Sequence, residues 1–398
     1  MKIAFCIENF IIARGGAEQY VNDLSRLLSE GDHEVHIFTR KSRKKSEGNL
    51  HIHILKCWPR PRFAMALCFA RQCRREVAAG GFDIVHSFGR TWGMDVFQPL
   101  GGSQMAGLVG NIRSIPRLPK RILKVATYLF SIRRIAYFYI EKVQIREAKI
   151  VIAISAMVKN DLIRYCRLSP EKVRIVRNGV DLEKFHPRNK NLYRDKIRRV
   201  LGLTDEDVFV IFVAHNFRLK GLQALLRSLA YLNDRCPGHP FKVGVLGAGK
   251  IKKYTSRARK LGVADRLIFL ASSEEPPRYY AAADISVHPS FYDPSALVVL
   301  EAMASGLPVI TTTYCGTSEI IQDGREGYVV GTPYDIAGLT DRILRLSDAA
   351  LRQKMGREGR LRAEEFPYPR NMQEILEIYH EYIGSCSRQK RSQLPVSG

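Results

Sequence analysis

Short runs of β-branched and aliphatic residues alternate with amphipathic windows along nearly the whole chain, and the pattern is met twice. In the first half the runs are residues 2–7, 34–39, 52–55, 84–86 and 150–154; in the second they are 208–213, 243–246, 267–270, 285–288 and 309–312. Runs this short and this apolar suit strands buried on both faces, which means parallel sheets whose crossovers are helices. Ala17, Val21, Leu24, Leu27 and Leu28 form one helical stripe, and further helices are expected to begin near Gly221, Lys252, Ala296, Asp335 and Ala349. At 398 residues the chain exceeds one ordinary core, so the expectation is two α/β domains of roughly 150–200 residues each.

Turn formers place the join near Asn178-Gly179-Val180-Asp181, and the polar stretch after His186-Pro187-Arg188-Asn189 reads as a linker. The expected domains are residues 1–180 and 181–366, with a last helix over 370–384 packing back on the first domain and a disordered basic tail at 385–398. Open parallel sheets bind ligands at the carboxyl ends of their strands, so two such domains direct their sites into a shared cleft.

Composition narrows the partners. Lys and Arg number 63 against 39 Asp and Glu, a formal charge of +24, which favours an anionic partner: nucleic acid, an acidic membrane or a phosphorylated substrate. No zinc-finger, RRM or KH signature accompanies the charge, which argues against nucleic acid. Eight cysteines are scattered without a C-x-x-C pair, and ten histidines show no familiar ligand spacing, so reduced thiols and no metal are expected. The apolar opening ends at Glu8, too soon for a signal peptide, and no run of 18 apolar residues occurs. A cytoplasmic protein is the expectation.

Three segments carry chemistry. Arg14-Gly15-Gly16-Ala17-Glu18 follows the first strand and opens a helix; paired glycines admit close backbone approach, though an ordinary strand-to-helix turn has the same look. Phe217-Arg218-Leu219-Lys220-Gly221 delivers two cations at a strand end beside a helix start, a setting suited to a diphosphate, whereas a solvated basic loop is the bland alternative. His288-Pro289-Ser290-Phe291-Tyr292-Asp293-Pro294-Ser295 leads from a strand into a helix bearing Glu301. Asp293 is expected just ahead of this helix and Glu301 about two turns in; the bland alternative makes Asp293 an N-terminal cap and Glu301 an incidental helix acid. Two carboxylates so spaced address two ends of a long ligand, with the backbone N–H groups of Ala296 and Leu297 meeting its anionic middle.

The order of these motifs resembles the retaining glycosyltransferases of family 4, which have the GT-B fold of two Rossmann-like domains facing across a cleft. Asp293-x7-Glu301, followed by Ala302-Met303-Ala304-Ser305-Gly306-Leu307-Pro308, is similar to the family's pair of acids seven residues apart. Gly15-Gly16-Ala17-Glu18, Ile154-Ser155-Ala156-Met157-Val158, Val176-Arg177-Asn178-Gly179-Val180-Asp181, Arg218 with Lys220, and Val245-Leu246-Gly247-Ala248-Gly249 resemble its other motifs in order. The resemblance implies that Glu301 binds ribose hydroxyls and Asp293 the donor sugar. It implies that Arg218 and Lys220 neutralise the diphosphate in place of a metal, that Gly247 belongs to the nucleotide-side loop, and that Gly15 and Gly16 bring amides from the first domain. No cofactor is implied beyond the nucleotide-sugar co-substrate. Two departures stand out: Asp293 replaces the usual first Glu, and Leu100 occupies a loop position where the family often has His, leaving Gln98 or Ser103 as substitutes. Within the family the similar members act on the lipopolysaccharide core, which implies UDP-glucose as donor and a glycolipid acceptor. Mannosyl or N-acetylhexosaminyl transfer, or ligand binding without turnover, are the rival readings.

Residues 113–149 hold ten Lys/Arg against two Glu, interleaved with aromatic and aliphatic residues. A basic helix with an apolar face suits an anionic membrane surface; a helix packing its aromatic face on the first domain has the same composition. The membrane reading makes the protein peripheral on the cytoplasmic face.

Overall fold

The computed structural model describes residues 1–11, 16–57, 61–270, 273 and 275–392. It divides into two compact units, the first of Met1–Met105, Ile122–Gly179 and Tyr368–Gly398, the second of Ala106–Arg121 and Val180–Pro367.

The first unit holds seven strands: β1 (Lys2–Cys6), β2 (Glu34–Thr39), β3 (Leu50–Ile54), β4 (Ile84–Ser87), β5 (Val96–Phe97), β6 (Ile150–Ala153) and β7 (Val173–Ile175). They lie in the order β3-β2-β1-β4-β5-β6-β7, all parallel. The second unit holds β8 (Val208–Val213), β9 (Phe241–Leu246), β10 (Leu267–Leu270), β11 (Ile285–His288), β12 (Val309–Thr312) and β13 (Gly327–Val330). Their order is β10-β9-β8-β11-β12-β13, again parallel throughout. This is the doubly wound arrangement, in which the strand order reverses between the first and fourth strands and opens a crevice at their carboxyl ends. Strands such as Val-Phe-Val-Ile-Phe-Val of β8 are apolar on both faces because helices cover both; Val210 and Phe212 enter one core and Phe209 and Ile211 the other.

Four expectations need correction. The stretch read as a linker contains the helix Asn189–Val200. It docks by charge: Arg198, buried, reaches Asp284 at 3.1 Å, and Arg194 reaches the same carboxylate at 2.7 Å, so no apolar stripe advertises it. Residues 106–121 group with the second unit although they fall within 1–180, in part because Gly110 leaves no room for a Cβ against Tyr292. The final helix runs Tyr368–Ser392; Gly384 does not end it, since its φ is not among the positive ones, and residues 385–392 are therefore helical. The remainder of the expected tail, 393–398, lies outside the described residues. Finally, β7 and β13 join the sheets. In β7 only three residues pair, with Arg174 exposed between Val173 and Ile175. Gly327 opens β13, where a Cβ would meet Val309 O at 2.3 Å; a glycine start reads as a loop.

The last helix belongs to the first unit's core. Ile375, Ile378 and Tyr379 pack among Ile3, Phe5 and Tyr20, and Tyr20 Oη donates to Asn371 Oδ1 at 3.0 Å.

Candidate active site

The crevice of the second unit is built where β8 and β11 diverge. Gly221 ends the loop after β8 with φ +83°, and a Cβ there would sit 1.8 Å from Pro289 O. Only glycine allows that approach. The loop after β8 therefore lies directly on the loop after β11, where Phe291 N donates to Leu219 O at 2.8 Å. Gly247 plays the same part at the tip of β9: its φ is +125° and a Cβ would meet Ala214 O at 2.1 Å. The loop after β12 closes the far side, with Asp293 N donating to Tyr314 O (2.9 Å) and Gly316 N to Asp293 O (2.8 Å).

Knitting these loops brings Lys220 and Asp293 together. Lys220 Nζ is 2.6 Å from Asp293 Oδ2, with the two side chains 20% and 11% exposed, and it also donates to Tyr292 O at 3.3 Å. His288, the last residue of β11, places Nε2 2.8 Å from the same Oδ2. Burial alone would raise the Asp293 carboxyl, but the Lys220 charge and the His288 hydrogen bond outweigh it and hold it well below the usual carboxylate range. Burial pushes the His288 imidazole down, only partly offset by Asp293. A neutral His288 thus donates Nε2–H to an ionised Asp293, while its buried Nδ1 has no hydrogen-bond partner among the described residues. Burying two charges is tolerated here because each meets the other; removing one partner of such a pair costs about 3–5 kcal/mol.

Asp293 is not a helix cap. The helix is Leu297–Ala304, its N-cap is Ala296 without a side-chain hydrogen bond, and Asp293 stands in the loop as part of an isolated bridge to Cys315. Glu301 is consequently the fifth helical residue, about one turn in. Tyr280 holds it: the hydroxyl lies 3.0 Å from Glu301 Oε2 and 3.2 Å from Val298 O. Burial, reinforced by the Glu301 charge, pushes the Tyr280 hydroxyl well above its ordinary range, so it remains a donor to the carboxylate. Ala296 is buried and its carbonyl accepts from Thr317 Oγ1 at 3.2 Å; Leu297 opens the helix, where α-helical geometry leaves the first N–H groups without partners inside the helix.

Arg218 Nη2 donates to Asn111 Oδ1 at 3.1 Å. Of the residues expected at the site, Arg218, Lys220, Gly247, Asp293, Ala296, Leu297 and Glu301 all belong to the second unit. Gly16 is exposed at the start of the helix Gly16–Glu30 in the first unit, and Gly15 lies outside the described residues. Neither proposed stand-in for the loop His is open to solvent: Gln98 is fully buried with Nε2 donating to Tyr20 Oη at 3.2 Å, and Ser103 is buried. Leu100 packs against the first unit's core. Sequence reasoning missed His288, Tyr280 and Asn111 as site residues. Only His288 carried a signal, as a polar residue closing an otherwise apolar strand.

The basic segment forms two helices, Leu118–Leu129 and Ile132–Glu147. Ala136, Ile140 and Val143 of the second are buried, but Ile122, Leu123, Leu129, Phe130, Ile132 and Ile135 are all more than half exposed. Packing on the first unit accounts for one face only. Among the described residues no helix is long and apolar enough to cross a membrane.

Comparison with known proteins gives the class. Residues 193–362 match the Glycosyl transferases group 1 family and residues 14–184 match Glycosyltransferase Family 4. A solved structure of WaaG, a glycosyltransferase involved in lipopolysaccharide biosynthesis, superposes with a TM-score of 0.78 at 20% identity, covering 95% of this chain and 99% of that one. Anabaena HepE in complex with UDP-glucose superposes with a TM-score of 0.70 at 18% identity over 96% of this chain and 100% of that one. The fold is thus GT-B, and the chain is an enzyme that transfers sugars. It belongs to the glycosyltransferases of family 4. In sequence it is 28% identical to D-inositol 3-phosphate glycosyltransferase of Pseudarthrobacter chlorophenolicus over 93% of this chain and 91% of that protein. The lipopolysaccharide glucosyltransferase WaaG of Escherichia coli is 28% identical over 50% of this chain and 54% of its own length.

Proposed function

We propose that this enzyme moves glucose from UDP-glucose onto a glycolipid of the lipopolysaccharide-core kind, with retention of configuration and without a metal. The observation that carries the reading is the Lys220–Asp293 ion pair at the β8/β11 crevice, 2.6 Å across, with Glu301 steadied by Tyr280 in the next helix. An ammonium has three donors; with Asp293 and Tyr292 O taking two, the third serves a phosphate oxygen of the donor. Arg218 supplies the second cation. Together they meet the charge that grows on the departing diphosphate, so the transition state is favoured over the ground state. Asp293 Oδ2 takes both Lys220 and His288, which leaves Oδ1 to accept from a sugar hydroxyl. Glu301 accepts from the ribose, and the first N–H groups of helix 297–304 face the diphosphate between them. Retention follows when the acceptor attacks the face from which the diphosphate leaves.

Glucose and a lipopolysaccharide-type acceptor are favoured by the similarity to WaaG and by the structural likeness to HepE, which was solved with UDP-glucose. The exposed apolar residues of the helices Leu118–Leu129 and Ile132–Glu147, set among Lys124, Arg133 and Arg134, favour an anionic membrane surface where such an acceptor resides.

Transfer of labelled sugar from UDP-glucose, UDP-galactose, UDP-N-acetylglucosamine and GDP-mannose to core glycolipid, in EDTA, tests the reading. UDP-glucose is expected to be used and EDTA to be harmless. Preference for another donor, or a requirement for added Mn2+ or Mg2+, overturns the corresponding part, and donor binding with no turnover reduces the protein to a binder. Flotation with anionic liposomes at low salt is expected to carry the protein up, and Phe130→Glu with Leu123→Glu to leave it behind; equal flotation of both forms contradicts the membrane reading.

A further inference from the structure

The first unit carries a second constellation that the transfer reaction does not use. β2 and β3 run parallel with His36 opposite His51 and Phe38 opposite His53, and the two-residue strand period puts Glu34, His36, His51 and His53 on one face. Donor atoms of Glu34, His36 and His51 all lie within 4.8 Å of one another. Glu34 Oε1 is 2.8 Å from His36 Nε2 and 3.9 Å from His51 Nε2. A tetrahedral zinc ion, with bonds of about 2.0–2.1 Å, sets its donors roughly 3.3 Å apart. The observed spacings straddle that value, and the side chains of Glu34 and His51, 45% and 40% exposed, are free to turn by the difference.

Two further facts point to a ligand and not to packing. His36 is braced from behind, with Nδ1 2.9 Å from His53 Nε2 and the two rings stacked at 5.1 Å; a hydrogen bond on the second nitrogen is what orients a metal-bound imidazole. Lys2 bears on the cluster electrostatically, yet its ammonium is turned onto Gly80 O (3.1 Å) and the Phe82 ring, and among the described residues no Lys or Arg forms an ion pair with Glu34, whose charged partners are His36 and His51.

We propose that Glu34 Oε1, His36 Nε2 and His51 Nε2 bind a divalent cation of the zinc class, with water completing the coordination. Two imidazoles and one carboxylate suit Zn2+, Ni2+ or Cu2+ over Mg2+ or Ca2+. In the metal-free protein His36 Nε2–H donates to Glu34 Oε1 and His36 Nδ1 accepts from His53 Nε2–H. To bind the cation both neutral imidazoles shift tautomer, His36 then donating Nδ1–H to His53 Nε2 and His53 keeping its own proton on Nδ1, so the exchange needs no net loss of a proton. The cluster occupies the start of β2 and β3, the end opposite the ligand-binding strand tips, and β3 is the sheet's edge. The cation therefore acts as a clasp that fastens the edge strand to its neighbour, outside the sugar-transfer chemistry.

Calorimetric titration of Zn2+ into the full, tag-free, EDTA-treated chain is expected to show one equivalent bound, with a rise in Tm that Mg2+ does not reproduce. His51→Ala and Glu34→Gln, both on exposed side chains, should keep the metal-free Tm and weaken the site by about tenfold or more; His53→Ala should weaken it by about 10- to 100-fold through His36. Absence of a stoichiometric site, or one of equal strength in His51→Ala and Glu34→Gln, overturns the proposal.

Discussion

The two units share a strand order and place an ion pair at the same topological point with opposite polarity. In the second unit the cation, Lys220, follows β8 and the acid, Asp293, follows β11. In the first unit the acid, Glu8, follows β1 and the cation, Arg90, follows β4, 2.9 Å apart. The surroundings differ. Glu8 lies between Arg90 and Arg40, and Arg90 is stacked over Tyr137 at 3.9 Å, so the first pair is a cation-rich anchor within its own unit. Lys220 has a single acid and a carbonyl, and the acid is shared with a neutral His288. The fold dictates where a pair can stand; the residues around it decide whether it still has bonding capacity for a ligand.

The largest expected effect separates the pairs. Lys220→Met should lower kcat/KM for the donor by about 10²–10³, the loss that follows removal of one group stabilising developing charge. It should also destabilise the second unit by about 3–5 kcal/mol, because Asp293 is left buried with its main counter-charge gone. Arg90→Met should leave donor affinity unchanged. Equal loss of donor affinity in both variants would erase the distinction.

The next effect tests whether the crevice depends on loop contact. Gly221 and Gly238 both have φ near +84° in the second unit, but a Cβ at Gly238 meets nothing within 4 Å, whereas at Gly221 it meets a carbonyl at 1.8 Å. Gly238→Ala should cost about 1–2 kcal/mol from backbone conformation alone. Gly221→Ala should cost more than about 4 kcal/mol in denaturant unfolding; matching losses would mean the loops are not tightly apposed.

The smallest is a pH effect on the first unit. His86, fully buried with Nδ1 2.6 Å from Tyr379 Oη, is pushed down to about 3 by burial. Between its ordinary value of about 6.5 and about 3 the unfolded chain holds a proton that the folded chain lacks. Its contribution to stability is present above about 6.5 and falls with pH through that window, by up to about 1.4 kcal/mol per pH unit. Replacing His86 with Asn should flatten that part of the profile, as measured by urea unfolding from pH 7 to 5.

Both sheets are legible in the sequence because their strands are short, apolar on both faces and separated by periodic helices. The helix Asn189–Val200 is not, since Arg194 and Arg198 dock it through Asp284, about 90 residues away in sequence, and charge carries no periodic signature. The site divides the same way. Lys220, Asp293 and Glu301 are found from their places at strand tips and in the helix that follows. Tyr280 and Asn111 reach it across 21 and 107 residues of sequence, contacts that only the packed chain reveals. The Glu34–His36–His51 cluster escapes for a related reason: its donors sit two apart on separate strands, and only the parallel register aligns them.

Thermal stabilisation by UDP-glucose in EDTA, compared between the unaltered chain and Glu301→Gln, tests the grip on the donor most directly. At about 100 times Kd the ligand should add about 2.7 kcal/mol of stability, and the variant, whose carboxamide keeps the shape but not the charge that accepts from the ribose, should gain clearly less at the same concentration. An equal rise in Tm for both proteins would place the nucleotide sugar somewhere other than between Lys220 and Glu301, and no rise in the unaltered chain would mean that this donor is not bound.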